Sequence, residues 1–356
     1  MDILKIKKNK IGLLLKKLIP KYRVVGPVES DGITSFKEIT SDSQRLTFNF
    51  YNTDKSPKDI IFPQVEIMFT YDGEKIQPIE YKGKPTIIFG IRPCDTKSLL
   101  LLDKVFATEK YKDTYWMERR TNTLVFALGC NNPLPTCFCN WLDGGPFNKE
   151  GADIFLTDIG DALLVEPCSR RGEKFIANGD AIFDEICEKA TKDDLKQAEK
   201  VEDKAKSMLG KLVDLSHLKR NLDSLWDDPI WDELSHKCLG CAACTYLCPT
   251  CHCFDIQDEE IVVAGPTPAK GRRIRIWDSC MFALFTREAS GHNPRPTTKE
   301  RLRQRIMHKF SYFVEDFGNF ACVGCGRCVR SCPVNVDIRE IINTIRNAKL
   351  ATSNRQ

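Results

Sequence analysis

Apolar positions recur along the chain at two spacings. Between 190 and 226, Leu195, Ala198, Val201, Ala205, Leu209 and Leu212 return every three or four residues, with lysines and acids on the other face. That spacing predicts an amphipathic helix. Leu215, Leu218, Leu222 and Leu225 continue the stripe past Gly210, and Asp228-Pro229 has the form of an N-cap with proline in the first turn. Further on, Leu302, Ile306, Phe310 and Phe313 repeat the spacing behind the capping-box pattern Thr297-x-x-Glu300. Ile338, Ile341, Ile342 and Ile345 do so behind Asp337-x-x-Glu340.

The first half of the chain mixes this period with short β-branched runs. Residues 8–18 read as a helix and 22–28 as a strand. The run TIIFGI at 86–91, the helical stretch KSLLLLDKVF at 97–106 and the run TLVFALG at 123–129 form a βαβ unit, which requires two neighbouring parallel strands. DIFLTDI at 153–159 and ALLVEP at 162–167 add two strands joined near Gly160-Asp161. The expected fold is therefore α+β. An α/β-like N-terminal domain spans 1–188, a helical connector 189–228, and a mainly α-helical domain 229–356. The connector reads equally well as a helix packed on one of the two domains.

Composition narrows the class. A chain of 356 residues is long enough for two or three domains, and 42% hydrophobic with 29% charged residues is a globular profile. The formal net charge of +4 gives no support to a nucleic-acid protein, which usually carries a strongly basic face. No apolar run approaches a membrane span. The lysine-interrupted N-terminus MDILKIKKNKIGLLLKKLIP lacks the unbroken apolar segment of a signal peptide, so a cytoplasmic location is expected.

The 17 cysteines change the picture most. Eleven lie between Cys238 and Cys332, and the other six between Cys94 and Cys187. An odd, clustered set in a chain of this length suits metal ligands or catalytic thiols better than disulfides. Residues 238–249 read CLGCAACTYLCP and 322–333 read CVGCGRCVRSCP. Both fit C-x2-C-x2-C-x3-C-P, the bacterial-type [4Fe–4S] signature. Three thiolates at three-residue spacing can wrap three corners of one cubane. The small residues Gly240, Ala242, Ala243, Gly324 and Gly326 let backbone N–H groups approach its sulfurs. The proline directs the fourth cysteine elsewhere. In two-cluster ferredoxins that fourth cysteine serves the other cluster. Applied here, Cys238, Cys241, Cys244 and Cys332 hold cluster one, and Cys322, Cys325, Cys328 and Cys248 hold cluster two. Structural zinc uses two separated pairs with four ligands in all, which two runs of four fit poorly.

Other cysteines form a weaker pattern. Cys94 follows the first strand of the βαβ unit and Cys130 ends the second, so both thiols fall at the carboxyl ends of parallel strands, where open α/β sheets bind ligands. Cys137 and Cys139 lie on the loop just after. These four are candidate ligands of a third [4Fe–4S] cluster, with Asp95 as an alternative ligand. The competing reading is buried cysteines acting as small hydrophobes. Cys251, Cys253 and Cys280 could be extra ligands, alternative ligands or packing residues. Cys168 and Cys187 read as structural. His252 sits between two cysteines without a ligand pattern around it. Neither a phosphate loop nor a dinucleotide fingerprint is found. Arg301, Arg303 and Arg305, with Arg272, Arg273 and Arg275, read either as solvated basic faces or as a docking surface for an acidic redox partner.

These residues together resemble a known family. CLGCAACTYLCPTCHCFDIQD at 238–258, WDSC at 277–280, GHNPRP at 291–296 and CVGCGRCVRSCP at 322–333 carry the likeness, with RPCD at 92–95 and CFC at 137–139. The chain resembles the iron–sulfur subunit shared by anaerobic sulfite reductases and cytosolic sulfhydrogenases, the beta subunit of the latter. The resemblance implies a non-catalytic electron carrier with two [4Fe–4S] clusters and strengthens the case for a third. It implies two partners: a flavoprotein subunit with FAD and NAD(P)H, and a terminal sulfite reductase or [NiFe] hydrogenase subunit. Neither nucleic acid nor a membrane span is implied. The competing function is a stand-alone iron–sulfur reductase of a sulfur compound, acting at the N-terminal cysteine site.

Overall fold

The structure is a computed structural model that describes residues 2–41, 46–80, 83–177, 182–261 and 270–348. Among them run twelve strands: β1 (Leu4–Lys7), β2 (Arg23–Ser30), β3 (Ile33–Ile39), β4 (Val65–Asp72), β5 (Lys75–Pro78), β6 (Thr86–Ile91), β7 (Thr123–Leu128), β8 (Ile154–Asp158), β9 (Ala162–Pro167), β10 (Glu188–Lys189), β11 (Phe254–Ile261) and β12 (Lys270–Trp277). They build an eight-stranded sheet in the order β10-β1-β9-β8-β7-β6-β2-β3 and a four-stranded sheet in the order β11-β12-β4-β5. The chain divides into two units, Met1–Phe62 with Glu80–Lys211, and Pro63–Ile79 with Leu212–Gln356.

The first unit contains the expected βαβ arrangement. β6 and β7 are parallel neighbours, with Ile87 opposite Leu124, and helix Pro93–Phe106 lies between them in sequence. β2 and β8 extend the parallel set on either side. Every residue of β6 is buried, as a central parallel strand covered on both faces must be. β8 and β9 form the anticipated antiparallel hairpin. Its turn is at Gly160, whose φ of 115° suits glycine and whose N–H donates to Asp158 Oδ1 at 2.9 Å. Ile11, Leu14, Leu15 and Leu18 of helix Ile11–Leu18 join Ile87, Phe89, Phe126, Leu128, Ile154 and Leu156 in one core.

The predicted stripe from Leu195 becomes helix Lys192–Ser207, closed at its start by a Thr191/Asp194 capping box. Only Ala205 of this helix is buried. The chain beyond it is held by Asn140 Nδ2, which donates to Gly210 O (2.8 Å), and by Trp141 Nε1, which donates to Lys211 O (3.0 Å). Helix Leu218–Ser224 belongs to the second unit, where Asn221 Nδ2 donates to Ile345 O at 3.2 Å.

The second unit is not mainly helical. It contains helices Ile230–Ser235, Thr298–Met307 and Ile338–Asn347, the second with the expected Thr297/Glu300 capping box. It also contains the four-stranded antiparallel sheet. The reason this sheet escapes the apolar pattern is electrostatic. β11 is exposed along its whole length and half of its residues are acids, so it shows no buried alternation. It pairs by charge instead: Arg272 meets Glu259, and Arg273 meets Asp258, directly across the ladder from β12. β4 reaches this sheet from the first quarter of the chain, and there Glu66 faces Arg275 with both side chains buried. Arg275 is therefore interior, and Arg272 and Arg273, which stay exposed, are each paired with an acid.

These pairings can be tested by substitution. Glu66→Ala strands the Arg275 charge in the interior and lowers unfolding free energy by about 3–5 kcal/mol. The urea midpoint reads this, and Glu66→Leu with Arg275→Leu recovers most of the loss. Asp194 is held at about 2, below its ordinary 3.8, first by the Thr191 backbone and hydroxyl hydrogen bonds and then by Lys5. A carboxylate depressed on folding stabilises fully above its unfolded pKa, and that contribution disappears as pH falls from about 4 through about 2. Asp194→Asn removes this part of the acid limb in a pH series of thermal melts.

Candidate metal centres

The two cysteine runs fold alike. Each places residues in the left-handed region between its first three cysteines: Gly240 (φ 67°) and Ala242 (φ 62°) in one, Gly324 (φ 62°) and Gly326 (φ 73°) in the other. Each then enters a four-residue helical turn, Ala243–Tyr246 or Arg327–Arg330. This tight path turns backbone N–H groups inward. Gly240 N donates to Cys238 Sγ at 3.4 Å, and Val336 N to Cys332 Sγ at 3.2 Å.

Cys238, Cys241, Cys244 and Cys332 line one pocket, together with Arg305, Leu302 and Met281. Three of these thiols come from the first run and the fourth from the second. Around Cys248 gather Cys322 and Cys328, whose charges act on one another. Cys248, Cys322 and Cys325 are buried and Cys241 is exposed. Burial pushes the Cys322 thiol up to about 12 and also raises Cys244 and Cys328, with Arg305 opposing the rise in the latter two. Among the described residues no three His, Cys, Asp or Glu side chains are gathered to hold a single metal ion.

Helix Thr298–Met307 passes through this region and continues into a π-helical turn, His308–Tyr312. Arg305 and Lys309 are 4% and 3% exposed. Lys309 Nζ donates to Cys248 Sγ (3.5 Å), Thr250 Oγ1 (3.1 Å) and Ala321 O (2.9 Å). Thr250 Oγ1 lies 3.1 Å from Cys248 Sγ and 2.8 Å from Ala321 O. Arg305 Nε is buried without a hydrogen-bond partner. A buried arginine that lines a pocket of four thiols and has an unpartnered Nε fits an anionic group that carries its own sulfur acceptors, and an iron–sulfur cluster is such a group. Arg301, one turn earlier, donates to Arg295 O and Pro296 O, while Arg303 lies over the Trp226 ring at 4.1 Å. The arginine run 301–305 is thus folded inward, and neither sequence reading of it as a surface holds.

The surplus cysteines sit beside this centre. Tyr246 OH donates to Trp277 O at 3.0 Å, and Thr245 Oγ1 shares a 2.7 Å hydrogen bond with Ser279 Oγ. These bonds bring the loop of Cys280 against the first run. A hydrogen bond with Cys253 and then burial raise the Cys280 thiol. The charge of Cys251 acts on Arg305 and Lys309. The His252 ring accompanies His308, which burial drives down to about 3.

In the first unit, Cys94 lies in the first turn of helix Pro93–Phe106, directly after β6, and Cys130 follows β7. Cys139 is 8% exposed. Burial pushes its thiol up to about 12, with Cys137 and Cys130 near enough to add to the rise. Arg92 lies beneath them. Its guanidinium donates to the carbonyls of Leu128, Gly129 and Phe50, and Nε has no partner. Burial lowers Arg92, while Cys130 and Cys94 oppose that. Asp95 is buried, and its Oδ1 accepts from Ser56 Oγ at 3.0 Å. Cys168 and Cys187 stand apart, and burial raises each to about 11.

Residues 237–336 match the 4Fe-4S dicluster domain. Over 324 residues, 91% of this chain and 92% of the other, the sequence is 32% identical to sulfhydrogenase 2 subunit beta of Pyrococcus furiosus. The chain belongs to the sulfhydrogenase beta-subunit family of 4Fe-4S dicluster proteins. The matched domain spans both cysteine runs and the buried cations between them, and it implies iron–sulfur clusters here. No helix among the described residues is long and apolar enough to cross a membrane. Sequence reasoning missed Arg92, Arg305, Lys309 and Thr250 as parts of these centres. For two of them a signal existed: Arg305 and Lys309 each precede a residue of the apolar row Ile306, Phe310, so a helical projection sets them at its edge.

The left-handed turns generate a test of their own. Ala242 holds φ 62° with a side chain, where its counterpart in the second run is glycine. Ala242→Gly is expected to raise unfolding free energy by about 1 kcal/mol, and Ala242→Val to lower it by more, in urea titrations of the full chain.

Proposed function

We propose that this chain is the electron-transfer iron–sulfur component of a cytoplasmic oxidoreductase complex. It passes single electrons between a flavoprotein partner, which exchanges them with NAD(P)H, and a terminal catalytic subunit. The hydrogenase type of terminal subunit is favoured over the sulfite-reductase type by the name of the relative. The observation that carries this reading is the pocket where Cys238, Cys241, Cys244 and Cys332 meet across two separate motifs. Those four hold cluster one, and Cys322, Cys325, Cys328 and Cys248 hold cluster two. Cys94, Cys130, Cys137 and Cys139 hold a third at the carboxyl end of β6 and β7. The engagement of Asp95 with Ser56 leaves the cysteines as the better ligands.

When bound, the clusters supply reversible one-electron storage. The chain's part is to hold the thiolates, exclude water and place charge. Left-handed turns bring backbone donors to the sulfurs, and the buried cations offset the negative charge of the thiolates. In the first unit Arg92 plays the corresponding part, tying the end of β7 to the carbonyl of Phe50.

Anaerobic purification with iron and sulfide analysis tests the reading. About twelve irons per chain are expected for three [4Fe–4S] clusters, and about eight would remove the N-terminal one. Cys332→Ser and Cys241→Ser each lose the same cluster, although the two residues belong to different motifs, while Cys168→Ser leaves iron unchanged. The isolated chain passes electrons to dyes. Turnover of a sulfur compound by the chain alone would favour the stand-alone reductase instead.

A further inference from the structure

Helix Thr298–Met307 and the π-turn after it carry two cations four residues apart, Arg305 and Lys309, both buried. Like charges at this spacing repel even on an exposed helix surface. In the interior their cost is larger unless anions meet them. The groups that meet them are thiols of both cysteine runs and Cys251, just after the first. Those acting on Arg305 are Cys244 of the first run, Cys328 of the second, then Cys251 and Cys248. Those acting on Lys309 are Cys248, Cys251 and Cys322. The contacts of Lys309 also define its state. An ammonium has three N–H donors, and three acceptors surround it: Cys248 Sγ, Thr250 Oγ1 and Ala321 O. Arg305 lines the pocket of Cys238, Cys241, Cys244 and Cys332, and its Nε is buried without a hydrogen-bond partner.

We propose that Arg305 and Lys309 are positioning residues that set the potentials of the two clusters of the second unit, Lys309 acting on the one bound by Cys248, and Arg305 on both. The assignment rests on the proposed ligand sets. The sign follows from electrostatics. Reduction adds one electron, hence one negative charge, to a cluster. A fixed positive charge and a hydrogen bond to a ligand sulfur both favour the reduced form and raise the potential. Because Lys309 donates to Cys248 Sγ, its removal acts mainly at one cluster. Arg305 lines the pocket of the first ligand set, and the charges of Cys328 and Cys248 of the second also act on it, so its removal lowers both potentials.

The test is a redox titration of the full-length, anaerobically purified chain, followed by electron paramagnetic resonance, with iron measured alongside. Lys309→Met is expected to keep its iron and to disfavour reduction of one cluster at least tenfold, about 59 mV for one electron, while the other changes less. Arg305→Gln is expected to lower both. Lys309→Arg, which keeps the charge, stays within a few-fold of the parent. Unchanged potentials in iron-replete Lys309→Met and Arg305→Gln would overturn the assignment. If Lys309→Met cannot retain iron, Lys309→Arg decides: restored iron and potential support the role of charge, and failure of both variants makes the site one of packing. A parent chain in which Cys332→Ser and Cys248→Ser do not each remove a [4Fe–4S] signal would overturn the ligand assignment instead, a result distinct from unaltered potentials in loaded variants.

Discussion

A buried positive charge among thiols is the constraint around which the second unit is organised. Arg305 and Lys309 lie on one continuous helical stretch, and the cysteines that approach them come from both runs, 238–249 and 322–333, and from Cys251 between them. Neither run could form this environment alone. Thiols crowded in a low-dielectric interior resist ionisation, as the rise of Cys322 to about 12 shows. Cations in the same interior resist burial. Each set lowers the cost of the other, and the hydrogen bonds of Lys309 to Cys248, Thr250 and Ala321 fix the arrangement.

The first unit solves a related problem with a different scaffold. There the cysteines follow two adjacent parallel strands, and the rigid element is a fully buried strand at the centre of a sheet. Arg92 stands at the start of the following helix and reaches the carbonyls at the end of β7. In both units a guanidinium with an unpaired Nε lies beside clustered thiols. One arrangement rests on loops and short turns, the other on the edge of an α/β sheet.

The legibility of each element follows its physics. The βαβ unit, the β8–β9 hairpin and the capped helices at 192, 298 and 338 are local, and their spacing or cap residues name them directly. The sheet of the second unit is not local. β11 is exposed throughout, so it carries no apolar alternation, and β4 reaches β12 from the other half of the chain. Its signature is charge: the acids of 258–259 against the arginines of 272–273. Taken as isolated basic stretches, those arginines, and 301–305 with them, suggest a surface. In the fold, Arg275 and Arg305 are interior.

The chemistry is legible in the primary structure. Two C-x2-C-x2-C-x3-C-P runs specify their turns through small residues and left-handed positions, because the spacing of thiols on a short loop is a local property. The motif also anticipated the meeting of Cys332 with the first run, but only the fold brought together Glu66 with Arg275 and Lys309 with Cys248. Such meetings depend on long-range packing and on the burial of charge, and a burial environment is not written in the spacing of any one segment.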